Sequence, residues 1–117
     1  MHDFPDFMKN PLNRIAGKSQ YTEDIEGYVF DGADGSQVAF WKCSKNRLSE
    51  PHTHEYDEYL LVVQGKYTLI LGHQKIPLAA GQEYLIPKGA THAGEVTAGT
   101  RTIHVFGGKR VIRENLA

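Results

Sequence analysis

From Gly27 onward the chain alternates short β-type segments with glycine- or proline-bearing breaks at about ten-residue intervals, which constrains its fold more than any other feature. Segments 27–31 and 36–43 flank Gly32-Ala33-Asp34-Gly35, and 66–71 and 75–78 flank Gly72-His73-Gln74, a tight hairpin signal. Segment 59–63 precedes Gln64-Gly65, and 83–86 runs into Pro87-Lys88-Gly89. Segments 92–96 and 101–106 flank Thr97-Ala98-Gly99, and a last strand is expected over 110–113. With no long helical pattern between them, these segments predict an all-β antiparallel sandwich or barrel. A length of 117 residues leaves room for one such domain and one core.

Residues 1–26 read differently. Phe4, Phe7, Met8, Leu12 and Ile15 follow a loose helical spacing, which Pro11 interrupts after at most a turn or two. The expectation is a short N-terminal arm over 1–26 that packs on the barrel or on a partner subunit, with a flap over a pocket as the alternative. The barrel would then occupy 27–113 and a C-terminal tail 114–117.

The charge balance narrows the partners. Thirteen Lys and Arg stand against fourteen Asp and Glu, with no basic run, so no nucleic-acid footprint is expected. The longest apolar run, 59–63, is far too short for a membrane span. Cys43 is the only cysteine and cannot form an intramolecular disulfide. The segment Met1-His2-Asp3-Phe4-Pro5-Asp6 lacks the basic and apolar regions of a signal peptide, so a cytoplasmic protein is expected.

The chemistry is concentrated in His52, His54, Glu58 and His92. In an extended segment His52 and His54 share one face, because strand side chains alternate. Glu58 follows after Glu55-Tyr56-Asp57, enough chain for a bend, and His92 comes from a distant strand. Three imidazoles and a carboxylate meeting at one point suit a borderline divalent metal: iron, manganese, nickel, zinc, cobalt or copper. Six-coordinate metal would keep two positions open for water or substrate. The alternative is a metal-free polar cluster whose members satisfy one another.

These residues resemble the cupin superfamily, whose first motif is G-x5-H-x-H-x3,4-E-x6-G. His52, His54, Glu58 and Gly65 fit it without a gap, and Gly81, Pro87, Gly89 and His92 fit the second motif, G-x5-P-x-G-x2-H-x3-N. Fifteen residues, 66–80, separate the motifs. From composition alone, both would occur together by chance in about four chains per million. Asn46 replaces the opening glycine of the first motif and Val96 the closing asparagine of the second. Neither position is a metal ligand in the family. The resemblance implies a double-stranded β-helix, or jelly-roll barrel, with one divalent ion on His52, His54, Glu58 and His92. It also implies pairing as a homodimer, for which exchange of the arm or edge-strand pairing is a means.

The resemblance spans dioxygenases, sugar isomerases, decarboxylases and lyases. It implies a metalloenzyme acting on a small oxygen-rich molecule (a sugar, keto acid or carboxylate) by inner-sphere coordination. A non-catalytic ligand-binding or sensing module is the alternative, and a closed structural metal site a third reading. His104 and Tyr56 are the candidates for moving a proton. His104 shares a strand face with Thr102 and Phe106, but parity alone leaves open whether that face is inward. Lys42 and Arg101 would bind an anionic substrate only if they face inward. Lys88, His2 and His73 read as surface residues, Trp41, Phe40 and Tyr84 as core or interface aromatics, and Cys43 as a buried small hydrophobe.

Overall fold

The structure, a computed structural model, describes residues 3–15 and 24–112. Among the described residues nine strands follow one another: β1 (Ile25–Asp31), β2 (Gln37–Cys43), β3 (Arg47–Leu48), β4 (Glu58–Gln64), β5 (Lys66–Leu71), β6 (Gln74–Ala79), β7 (Glu83–Ile86), β8 (His92–Val96) and β9 (Arg101–Phe106). They form a five-stranded sheet in the order β1-β2-β9-β4-β7 and a four-stranded sheet in the order β3-β8-β5-β6. Every strand pairing is antiparallel. The two sheets make a jelly-roll barrel, the form the family resemblance implies, within the antiparallel sandwich or barrel that the punctuation of the sequence predicts. Among the described residues no helix is long and apolar enough to cross a membrane.

Period-two alternation places the core. Val29, Ala39 and Phe106 point inward and pack with Ile15 and Val111, joined by Trp41 and Tyr56. Leu60, Val62 and Leu78 form a second buried group with Tyr67, Ile76 and Tyr84. Of the motif glycines, Gly65, Gly81 and Gly89 all take positive φ, the backbone their turns require.

The arm holds two short 3₁₀ turns, Asp6–Lys9 and Pro11–Asn13, in keeping with the expected turn or two. Asn10 caps the second by accepting a hydrogen bond from the Leu12 N–H at 3.0 Å. Phe4 packs edge-on against Tyr28 with ring centroids 5.5 Å apart, and Arg14 bridges to Tyr28. The rest of the arm, 16–23, together with His2 and the tail 114–117, lies outside the described residues.

Two expectations need correction. No strand forms over 110–112, the described part of the expected last strand. The Gln37 side chain takes its place: the Gln37 amide donates to the Val111 carbonyl at 2.9 Å, and the Val111 N–H donates to Gln37 Oε1 at 2.9 Å. A side chain thus satisfies the backbone groups that a strand partner would otherwise take. Conversely, β3 was not expected. It is two residues long, with Leu48 60% exposed, so no alternation could announce it.

Candidate metal centre

Backbone hydrogen bonds stitch the two motif segments together. His52 and His92 are direct cross-strand partners and exchange both N–H···O bonds at 2.9 Å. The Gly89 N–H donates to the His54 carbonyl at 3.0 Å, and the Lys88 N–H to the Asp57 carboxylate at 2.8 Å. Glu58 then opens β4, opposite Ile86 of β7 and Phe106 of β9. The four side chains therefore come from one loop, the first residue of one strand and the first residue of another.

The three imidazoles form a compact triangle. Ring centroids lie 4.3 Å apart for His52 and His92, 5.0 Å for His52 and His54, and 5.4 Å for His54 and His92. One ring nitrogen from each falls within 4.8 Å of the other two. His52 Nδ1 lies 2.8 Å from the Glu50 carbonyl, and His92 Nδ1 3.0 Å from the Ala90 carbonyl. A carbonyl accepts only, so each Nδ1 carries a proton and, in the neutral ring, each Nε2 presents a lone pair. His54 Nδ1 is 3.2 Å from the Tyr56 hydroxyl, whose ring stacks on His54 at 4.9 Å.

Glu58 is buried beneath this triangle. Its Oε1 lies 3.3 Å from His54 Nε2 and 3.4 Å from His92 Nε2, and Oε2 accepts a 2.7 Å hydrogen bond from His104 Nδ1. His104 Nε2 lies 3.0 Å from the Thr102 hydroxyl. Burial pushes the Glu58 carboxyl up, but His104, His54 and His92 more than reverse that and hold it well below the usual carboxylate range. Burial pushes His52 down to about 4. Burial also pulls on His92, yet the Glu58 carboxylate and the Ala90 carbonyl outweigh it and raise His92 above its ordinary value.

Whether this cluster fits a cation is decided by its unsatisfied atoms. Glu58 Oε1 and His92 Nε2 are both buried and neither has a hydrogen-bond partner. Buried polar atoms without partners are costly, and a cation among them would satisfy both. The donor types, imidazole nitrogen with an adjacent carboxylate oxygen, suit borderline divalent metals. The residues fit a metal ion.

A cavity of ≈ 80 Å³ adjoins the cluster, with His52, His54, Glu58 and His104 on one side. Its other walls include Ile25, Trp41, Cys43, Tyr67, Val96 and Phe106, with Arg110 also lining it. The space admits a small molecule beside the cluster.

Of the two candidate proton carriers, His104 lies in this cavity and Tyr56 does not line it. Tyr56 instead packs against His54 and Phe106. Lys42 and Arg101 sit on the outward face: Lys42 lies 3.8 Å from Asp3, and the Arg101 guanidinium covers the Phe4 ring at 5.0 Å. Neither reaches the cavity, so the inward anion-binding reading is excluded by register. Lys88 and His73 are exposed, as expected. Cys43 is buried, and its thiol donates to the Lys45 carbonyl at 2.9 Å. Trp41, expected as a core or interface aromatic, packs against the first core group and also lines the cavity, meeting His104 edge-on at 6.1 Å.

Tyr67 is the residue that sequence reasoning missed. Burial raises its hydroxyl above the usual phenol value. A Cβ built on Gly94 would lie 2.0 Å from the Tyr67 oxygen, so Gly94 leaves the room that this ring occupies. A glycine inside a strand marks such close approaches, and Gly94 in the middle of β8 was that signal.

The comparisons agree with this architecture. The family model for the cupin domain matches residues 40–106, more than half of the chain. Among solved structures, KdgF from a Halomonas species is similar at 22% identity and TM-score 0.66, over 71% of this chain and 77% of that one. The polyketide cyclase RemF from Streptomyces resistomycificus matches at 20% identity and TM-score 0.70, over 92% and 81%. A cupin-like protein from Thermotoga maritima matches at 15% identity and TM-score 0.71, over 89% and 84%. At these identities the likeness speaks for the fold alone. No curated protein matches the chain in sequence.

Proposed function

The chain belongs to the cupin domain family, and from that premise we propose that it is a metal-dependent enzyme acting on a small oxygen-bearing molecule such as a keto acid, sugar or carboxylate. The observation that carries this reading is the convergence of three histidine nitrogens within 4.8 Å, beside a buried carboxylate oxygen that lacks a hydrogen-bond partner. His52, His54 and His92 would hold the ion, with the Glu58 carboxylate beside them. A divalent ion bound there supplies Lewis acidity to a substrate oxygen.

The chain's own residues do the rest. The Glu50 and Ala90 carbonyls fix the orientation of two imidazoles. His104 holds Glu58 by Oε2, so that Oε1 faces His54 and His92. The Tyr67 hydroxyl is held protonated at neutral pH, ready to donate to a substrate oxygen. Trp41, Val96 and Phe106 give the cavity apolar walls. RemF, named as a polyketide cyclase, supports the view that this barrel accommodates catalysis.

Elemental analysis of protein purified without added metal tests the first half of the proposal. One equivalent per chain is expected, lost in the His52→Ala/His54→Ala variant and kept in His73→Ala. Equal loss from His73→Ala would overturn the ligand assignment. The second half is tested by proton NMR of keto acids, aldoses and uronates incubated with the loaded protein in D₂O. Turnover or solvent exchange that falls in Tyr67→Phe supports catalysis. Binding without either supports the second reading, a ligand-binding module, which the apolar walls formed by Ile25, Val96 and Phe106 favour.

A further inference from the structure

Beyond β9 the chain is held against the barrel at two points. The Gly107 N–H donates to the Asp57 carbonyl at 2.9 Å. Gly108 then passes so close to Tyr56 that an added Cβ would lie 2.5 Å from its ring. Three residues later Val111 is buried with Ile15, Val29, Ala39 and Phe106, and the Gln37 side chain takes both of its backbone groups at 2.9 Å. Arg110 lies between these anchors, is half-buried, and lines the cavity beside the histidine cluster. Among the described residues of that wall it is the only lysine or arginine. A backbone pinned on both sides narrows the directions its side chain can take, and so lowers the ordering cost of a contact made there.

We propose that Arg110 selects the substrate, and that the class it selects is a small monocarboxylate bearing a hydroxy or keto oxygen. The word substrate rests on the metal-enzyme reading given above, whereas the anion subsite is a property of Arg110 and its wall. Charge balance favours an anion. Three neutral imidazoles and one carboxylate leave a divalent ion with net positive charge, and the guanidinium adds a second positive group to a cavity of ≈ 80 Å³. A neutral sugar compensates neither, while a carboxylate does. The apolar walls, Ile25, Trp41 and Val96, reduce the competition from water and strengthen that attraction.

The shape of the donor favours a carboxylate over other anions. A guanidinium is a planar fork that grips a carboxylate through two parallel N–H···O bonds. A phosphate group is ordinarily held by a nest of backbone N–H donors at a turn or helix start, and the cavity wall is built of strands. With the carboxylate on Arg110, the hydroxy or keto oxygen is the group left for the histidine side, where Lewis acidity acts. Lys42 and Arg101, the cations that the sequence offered for an anion, stand on the outward face; Arg110 lies past the last strand, where no alternation places a side chain.

Ligand-observed NMR titration of the Zn²⁺-loaded protein with lactate and pyruvate, against lactamide and pyruvamide, tests the proposal. The acids are expected to bind more tightly than their amides. Arg110→Gln should weaken the acids about 10–100-fold, the usual worth of hydrogen bonds to a charged group, and leave the amides unchanged. Arg110→Lys keeps the charge but loses the fork and should fall between. Its exposed neighbour gives the control: Lys109→Gln should bind as the unaltered protein does. Thermal melts establish that each variant folds. Acids that bind no better than amides, or equally well to Arg110→Gln, overturn the proposal. So does loss of acid binding in His52→Ala/His54→Ala with none in Arg110→Gln, which would put the carboxylate on the metal centre. Inorganic phosphate that displaces pyruvate more strongly than lactate does would overturn the carboxylate class. Failure of the metal reading looks different: protein that purifies free of metal yet prefers acids through Arg110 keeps the anion subsite and loses only the metal enzyme.

Discussion

His92 is the residue at which protons compete most strongly with a metal ion. An imidazole must be neutral to donate. His52, pushed down to about 4 by burial, stays neutral through mild acid. His92 is pulled down by burial but raised overall by Glu58 and the Ala90 carbonyl, so it takes up its proton above the ordinary 6.5. Metal affinity should therefore begin to fall on the alkaline side of 6.5 and keep falling as the pH is lowered. Isothermal titration with Zn²⁺ or Co²⁺ at stepped pH checks this, and an affinity constant from pH 8 to pH 5 would contradict it. His104 acts one step further out. His104→Gln removes the bond that orients Glu58 and should weaken metal binding by about 10–100-fold, the usual effect of losing a partner that positions a ligand. The histidine and glutamate positions were legible because residue spacing survives without coordinates. The role of His104 was not, because a strand's parity gives two rows and only the register says which is inward; nor was that of Tyr56, which lies in the bend before β4, where no alternation applies.

At the level of strands, β8 concentrates most of what the site needs. Its first residue is His92, its third is Gly94, and its fifth is Val96 in the cavity wall. The Tyr67 ring from β5 lies over Gly94, where an added Cβ would come within 2.0 Å of the hydroxyl oxygen and 2.3 Å of the ring. Gly94→Ala must push that ring aside and should cost about 1–3 kcal/mol, the range for overpacking. Tyr67→Ala alone should also destabilise by creating a cavity. Because the two residues share one space, the double variant should lose less than the two single losses combined. Urea unfolding of the four proteins measures this, and simple additivity would mean that the ring relaxes elsewhere. The strands around this pair were legible in the sequence, since β5, β7, β8 and β9 coincide with the expected segments. The 110–112 stretch failed for a physical reason: Val111 and Ile112 are β-branched residues that suit a strand, but the Gln37 side chain takes both backbone groups of Val111.

At the scale of the whole molecule, the candidate site lies across both sheets. His92 belongs to the four-stranded sheet and Glu58 to the five-stranded one, while His52 and His54 lie on the segment that crosses between them. An ion held by all four would tie together two layers that otherwise meet through apolar contacts such as those of Leu60 with Leu78. Unfolding separates the layers and destroys the site, so metal binds the folded chain and not the unfolded one. Linkage then sets the size of the effect. Free metal at a hundred times the dissociation constant stabilises the fold by about 2.7 kcal/mol, which for a domain of this size raises Tm by about 10 °C. Thermal melts with and without metal should show that rise, EDTA should reverse it, and His52→Ala/His54→Ala should abolish it. An ion bound elsewhere on the barrel would leave the variant's response equal to that of the unaltered protein.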